Sequence, residues 1–560
     1  MNVAECIAEA LVAEGVRLAA GITGQSIGHL ADALSQRREV SFLYTRQERV
    51  AIDIADGFAR VAGSAAVVFT DAGPAAANAM GGLVNSWGDS TPVLLFAGHN
   101  DRFIMPDGET KAIPFKSLFG PVCKWVAVID DPSQVTTIMR RAFIALRSGR
   151  AGPVVIGLPY DVSSMPLPGF AYEPVSARRV VRGAGDPASI AEAVELIAAA
   201  KRPYLYSGSG VLASEATAEL VDFAALLTLP VATTLNGKSA FPENHPLALG
   251  IGGFGRALYG SLPATVLAES ADLVVTIGCG FKQHAKITAF PQPFKHVQID
   301  VDAGELHKTR LADVAILGDA KIVLRQMTDQ ARATLAKGRL APVESRLAEI
   351  QALRQRWQAV SKPLLESDET PVNPFRVIGE LMKLADPDRT ILLHDAGSVR
   401  GSTCQHWPAT QPRSFLGFGV QSAMGWSIGA AAGAKKAAPH KLVVAVIGEE
   451  AFAETALDIE TTIRCAAPIL VIVKNNSAFK DRDGGGSTRL AEVRFSGSAD
   501  ICAFATALGA KAYRAENPAK LSTALQSAIT DVESGTTAVV EVLTKRVKTS
   551  LYAQWEGVTP

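Results

Sequence analysis

The chain has 560 residues, 48% hydrophobic and 20% charged, with 55 Lys and Arg balanced by 55 Asp and Glu. That length exceeds what one hydrophobic core organises and fits three or four domains of about 150 residues. The zero net charge gives no field to recruit nucleic acid or an anionic membrane surface. Apolar runs such as "VVAVI" (443–447) fall far short of the roughly 20 residues of a membrane span.

The opening "MNVAECIAEALVAEGV" is an amphipathic, acidic pattern without the charged-then-apolar layout of a secretory leader. Cysteines at 6, 123, 279, 404, 465 and 502 lack paired spacing, so neither a zinc site nor a disulfide framework is expected. A cytoplasmic, reducing setting is the expectation.

Along the chain, short β-branched runs alternate with longer helical patterns, which predicts parallel sheets with helices on both faces. "SFLYT", "AAVVFT", "PVLLFAG" and "GPVVIGLP" read as strands of a first domain, with "ERVAIDIADGFARVA" (48–62) among its helices. A Pro-rich stretch, "MPLPGFAYEPVSARRVVRGAGDP" (165–187), has no periodicity and reads as a linker. The pattern restarts with "RPYLYSGSG", "LPVATTL", "ADLVVTIGCG", "HVQIDVD" and "ILGDAK", and a charged helical stretch over 323–362 is expected to bridge to the last domain. "RTILLHDAG", "KLVVAVIG", "ILVIVKNN" and "TAVVEVL" supply a third set of strands. The predicted fold class is α/β, with three doubly wound parallel-sheet domains at 1–165, 186–335 and 365–548.

In such sheets ligands sit beyond the carboxyl ends of the strands. Gly448-Glu449-Glu450 follows one predicted strand and Asn475-Asn476 ends the next. Carboxylate, amide and backbone oxygens are hard ligands that magnesium accepts together with phosphate oxygens. The plain competing reading is a solvated acidic loop beside a turn-forming Asn pair.

The order of parts resembles the thiamine diphosphate-dependent decarboxylases and carboligases, in the acetohydroxyacid synthase, pyruvate oxidase and benzoylformate decarboxylase branch. The resemblance covers nearly the entire chain and rests on "YTRQERVAIDIADGFARVAG", "FTDAGPAAANAMGGLVNSWGDSTPVLLFAG", "FGVQSAMGWSIGAAAGA" and the Gly448 to Asn476 segment. It implies a pyrimidine-binding N-terminal domain, a central domain and a diphosphate-binding C-terminal domain. It implies that Glu449, the Asn476 side chain and the Ala478 carbonyl bind Mg2+ or another divalent cation, which holds the diphosphate. Glu48 would be the activating carboxyl at the cofactor's aminopyrimidine. Gly24, Gly73, Pro74, Asn78, Gly448, Glu450 and Ala451 would line the cofactor, Met424 would support its bent form, and the Ser422 carbonyl would accept from its amino group. Gln25, Lys111 and His99 are the candidates for work on the substrate.

Two departures stand out: the family's usual Asp is Glu449, and its usual small neighbour is Glu450. The implied activity is decarboxylation or carboligation of a small 2-oxo acid. A 2-hydroxyacyl-CoA lyase is the second reading, and a catalytically lapsed structural homologue, suggested by the Glu-Glu pair, is the third. In the central domain "GFKQH" (280–284) replaces the stretch that meets flavin, which argues against FAD, and Gly208 and Gly210 read as a structural turn more than a nucleotide turn. Lys480, Arg482 and Arg489 flank a Gly-rich loop that reads as solvated. The family geometry implies a homodimer or homotetramer in which Glu48 of one chain meets cofactor held by Glu449 and Asn476 of another.

Overall fold

A computed structural model of the chain describes residues 1–104, 110–177, 181–252, 260–281, 293–336, 344–477 and 499–547. Ala478, Lys480, Arg482, Arg489 and most of "GFKQH" lie outside the described residues.

Eighteen strands are described, in three sheets of six. The first holds β1 (Leu18–Gly21), β2 (Ser41–Tyr44), β3 (Ala66–Thr70), β4 (Val93–His99), β5 (Trp125–Val128) and β6 (Val154–Pro159), in the order β2-β1-β3-β4-β6-β5. The central sheet holds β7 (Pro203–Ser207), β8 (Val231–Thr233), β9 (Ala248–Ile251), β10 (Leu273–Ile277), β11 (Lys295–Asp300) and β12 (Val314–Leu317), in the order β12-β11-β10-β7-β8-β9. The third holds β13 (Thr390–His394), β14 (Phe415–Leu416), β15 (Leu442–Gly448), β16 (Leu470–Asn475), β17 (Lys511–Ala515) and β18 (Ala538–Leu543), in the order β14-β13-β15-β16-β18-β17. Every pairing is parallel, as the alternating pattern predicts.

The first and third sheets share one topology. Each reverses its strand order between its first and third strands, β1/β3 and β13/β15, and that reversal opens a crevice at the carboxyl ends. Burial on both faces explains the unbroken apolar runs: Val67, Phe69, Leu94 and Phe96 face one helical layer while Val68, Leu95 and Ala97 face the other.

The stretch after β6 differs from a loose linker. Leu167, Phe170, Tyr172 and Val175 pack on the first core. The buried Glu14 carboxylate accepts from the Tyr172 hydroxyl (2.8 Å) and the Val175 N–H (2.7 Å), and pairs with Arg147 (2.9 Å). Absence of periodicity concealed this because a single buried carboxylate, not a repeating face, does the anchoring. The bridging stretch is helical at Ala320–Leu335 and Glu344–Leu365, and Trp357, Val360 and Leu364 pack around Leu262 of the central domain and Phe375 of the last.

The first and third domains meet through two helices, Glu48–Ala62 and Trp426–Ala437. Glycine makes the crossing possible. A Cβ on Gly57 would stand 2.1 Å from the Ala430 carbonyl oxygen, and one on Gly433 would stand 1.9 Å from that of Ile54.

Candidate active site

The crossing brings the carboxyl ends of the first and third sheets together. On the first, the loops after β1, β2 and β3 carry Gly24 and Gln25, Glu48, and Gly73, Pro74 and Asn78. On the third, β13 leads to Asp395, β15 to Gly448-Glu449-Glu450 and β16 to Asn475-Asn476.

Glu48 opens its helix, half-buried, and its Oε2 accepts from Asn78 Nδ2 at 3.2 Å. Arg46, two residues earlier, donates its N–H to Asp458 (2.9 Å) and its guanidinium to Glu460 (2.9 Å) on the third domain. Within a single chain the helix that Glu48 opens also packs against the third domain at the glycine crossing.

Beside Glu48 lies a polar cluster. Asp71, just past β3, accepts from the Ser26 N–H (3.1 Å) and hydroxyl and from Lys111 Nζ (2.6 Å). Burial raises the Asp71 carboxyl, but the hydrogen bonds from Lys111 and Ser26 outweigh it and hold it below the usual carboxylate range. Gly24 packs on Asp71 and Gly73 on Lys111 so closely that a Cβ would stand 2.3 Å and 2.7 Å from them; Gly73 has φ +63°. The structure thus gathers Gly24, Gln25, Gly73 and Lys111, with Gln25 and Lys111 exposed.

His99 does not join this cluster. It ends β4 inside the strand rather than in a loop, buried with its ring 4.4 Å from Phe115, and burial lowers its basicity. Its placement in the strand and in the core, and not in a loop, sets it apart from the other substrate candidates.

On the third domain, Ser422 sits at φ +55° and Met424 is half-buried against the core. The backbone around them is held from several sides. Buried Asp395 accepts from the Gly425 N–H (2.9 Å) and the Ser427 N–H (2.8 Å), the Thr455 hydroxyl donates to the Gly425 carbonyl (2.8 Å), and Arg400 donates to the Ser422 hydroxyl (2.6 Å). Arg49 of the first domain donates to the Met424 carbonyl. Burial raises the Asp395 carboxyl against these N–H donors.

Glu449 and Glu450 begin the helix Glu449–Thr455, half-buried, followed by buried Ala451. Burial pushes the Glu450 carboxyl up, and the charges of Glu449 and Glu454 push the same way. Glu450 Oε1 is buried without a hydrogen-bond partner among the described residues. Asn475 is bound into the turn, donating to Glu541 (2.8 Å) and accepting from the Ser477 N–H (2.9 Å), so the turn-forming reading applies to it. Asn476 follows, half-buried, at the strand end.

These residues fit a diphosphate held through a divalent cation. The Glu449 carboxylate and the Asn476 amide supply hard oxygens, and among the described residues a Cβ on Gly448 or Gly397 would meet no atom within 4 Å. Gly208 and Gly210 behave differently: they pack backbone to backbone on Gly278, at Cβ distances of 2.1 Å and 2.6 Å, and so form a structural turn.

Sequence reading missed Asp395, Asp71, Arg49 and Arg400. The available signal was an Asp-Ala-Gly that occurs twice, at 71–73 after β3 and at 395–397 after β13, each at a reversal point where a strand-end carboxylate faces the crevice.

Comparison with known proteins agrees with the geometry. Residues 1–112 match the thiamine pyrophosphate enzyme N-terminal TPP binding domain, 190–327 the central domain and 395–542 the C-terminal TPP binding domain. The chain belongs to the thiamine pyrophosphate enzyme family. It is 31% identical to a probable acetolactate synthase large subunit of Methanococcus aeolicus and 32% identical to one of Methanocaldococcus jannaschii, each over 94% of this chain and 90% of the relative. It is 27% identical to the acetolactate synthase isozyme 3 large subunit of Escherichia coli, over 96% of this chain and 94% of that protein. Among the described residues no helix is long and apolar enough to cross a membrane, and all six cysteines are free.

Proposed function

We propose that the protein is an acetolactate synthase-like carboligase, joining two small 2-oxo acids with loss of one carbon dioxide. The observation that carries this reading is the set of Arg46 and Arg49 contacts that bring the start of the Glu48 helix, with its Glu48–Asn78 pair, against the Met424 segment and the helix begun by Glu449. The names of the relatives support the reaction class.

When bound, thiamine diphosphate supplies a thiazolium carbon that adds to a 2-oxo acid and holds the electrons released as carbon dioxide leaves. Glu48 keeps a proton-exchanging carboxyl at the aminopyrimidine, and Asn78 fixes its orientation. Met424 supplies an apolar support backed by the C-terminal core. Glu449 and Asn476 would hold the divalent cation and thereby the diphosphate. Lys111, steadied by Asp71, and the exposed Gln25 face the substrate side, where an ammonium favours a carboxylate. With pyruvate the balance is two pyruvate anions and one proton giving one acetolactate anion and one carbon dioxide.

The test is to incubate purified protein with thiamine diphosphate, Mg2+ and pyruvate and to measure acetolactate as acetoin after acid decarboxylation. Product is expected, and Glu48→Gln should reduce its rate by about 10²-fold or more while leaving the melting temperature unchanged. Cleavage of a 2-hydroxyacyl-CoA without acetolactate would transfer the assignment to the acyl-CoA lyases. No turnover of either substrate class would favour a lapsed homologue.

A further inference from the structure

We propose that Arg49 is a positioning residue of this site, a clamp that sets the spacing between the Glu48 carboxyl and the Met424 support. The proposal rests on the reading above. Arg49 adjoins Glu48 in the first turn of the Glu48–Ala62 helix, and its side chain is only 18% exposed. Its guanidinium reaches three separate groups. One nitrogen donates to the Met424 carbonyl, a second pairs with Glu454 at 3.2 Å in the helix that begins with Glu449, and Nε lies 3.6 Å from Asp53 one turn along its own helix.

The other braces on the Ser422–Ser427 segment, Asp395, Thr455 and Arg400, all come from the third domain itself. They fix the shape of the segment from within its own domain. The first domain reaches it through the helix crossing, through Arg60, whose guanidinium lies 5.1 Å from the Trp426 ring, and through Arg49, which hydrogen-bonds the segment's backbone next to Glu48. A planar guanidinium with five donors can bind a carbonyl and two carboxylates at once, which an ammonium cannot reproduce. Asp53 is 1% exposed and neither of its oxygens has a hydrogen-bond partner among the described residues. Arg49 Nε likewise has none, so the Met424 carbonyl and Glu454 hold the guanidinium while Asp53 only lies near it.

The experiment compares wild type, Arg49→Gln, Arg49→Lys and Glu454→Gln. Backbone amide exchange of the 420–427 peptide is followed by mass spectrometry without cofactor, and thiamine diphosphate affinity by tryptophan fluorescence. Arg49→Gln is expected to speed exchange in that peptide by about tenfold and to weaken cofactor binding by a similar factor. Its kcat should fall while KM for the 2-oxo acid changes less. Arg49→Lys should recover part of the loss, and Glu454→Gln should give a smaller change of the same sign. Exchange and affinity at wild-type values in folded Arg49→Gln would overturn the proposal, as would a uniform rise in exchange across the chain, the mark of a merely structural residue. If wild type does not bind thiamine diphosphate the functional reading fails, and the cofactor-free exchange data still decide the clamp.

Discussion

Glu449 and Glu450 are adjacent carboxylates at the start of one helix, in the segment that the proposed function assigns to the diphosphate. Like charges about 4 Å apart repel by about 1 kcal/mol in water and about 4 kcal/mol at an effective dielectric of 20. Removing Glu450, whose carboxyl is already pushed up by burial and by its neighbours, should therefore help the cofactor. Glu450→Gly is expected to lower the thiamine diphosphate dissociation constant by about tenfold in a calorimetric titration; a weaker complex would mean that Glu450 is itself a ligand. Glu449→Asp is expected to shift cation preference from Ca2+ toward Mg2+, since magnesium tolerates less departure from octahedral distances. Glu48 and the Gly448–Asn476 segment were legible because their neighbours form continuous motifs. Arg49 and Asp395 were not, because each acts on a residue far along the chain, and periodicity says nothing about which distant carbonyl or N–H a side chain meets.

The elements show the same division. Central strands such as β4 and β15 are apolar along nearly their whole length and announce themselves in the sequence. Some edge strands do not: β17, "KAYRA", has one buried residue and β14 has two residues in all, whereas the edge strands β2 and β12 are legible in "SFLYT" and "ILGDAK". The crossing of Glu48–Ala62 on Trp426–Ala437 is a further case. "GWSIGAAAGA" signals a close-packed helix, but not its partner. Gly433→Ala places a methyl 1.9 Å from the Ile54 carbonyl oxygen and is expected to destabilise the protein by about 3 kcal/mol. Scanning calorimetry checks this; a melting temperature equal to wild type would show that the two helices can separate without consequence.

Across the whole molecule, one buried network joins all three domains. Arg60 pairs with Asp56 (2.7 Å) and Asp89 (2.9 Å) and donates to the Gly417 carbonyl (2.6 Å), while Asp89 accepts from Asn236 of the central domain (2.8 Å). The central domain is thereby connected to the strand end that leads into the Ser422 segment. Buried histidines outside this network make stability depend on pH. Burial lowers His296 to about 4 and His394 to about 3, whereas an unfolded imidazole titrates near 6.5. The unfolded chain therefore takes up these protons first, so the stability contributed by the neutral rings is present above pH 6.5 and lost as pH falls. Each ring gives up about 2 kcal/mol by pH 5. Asp300, raised to about 6 by burial, opposes this in part between about pH 4 and 6. Asp53, Asp56, Asp395 and Asp458, raised by burial, act in the same direction as Asp300, so the test is a difference between variants: on going from pH 7 to pH 5 the melting temperature of His296→Gln is expected to rise relative to that of wild type, and parallel profiles would contradict a neutral buried ring at His296.

The most direct measurement requires no substrate: the rate of hydrogen–deuterium exchange at the thiazolium carbon of thiamine diphosphate, by acid quench and NMR, with protein and Mg2+ in excess. The account predicts exchange orders of magnitude faster than for free cofactor, and loss of that acceleration in Glu48→Gln. Exchange at the free-cofactor rate, even with Mn2+ or Ca2+ in place of Mg2+, would contradict it and assign the fold a role outside thiamine catalysis.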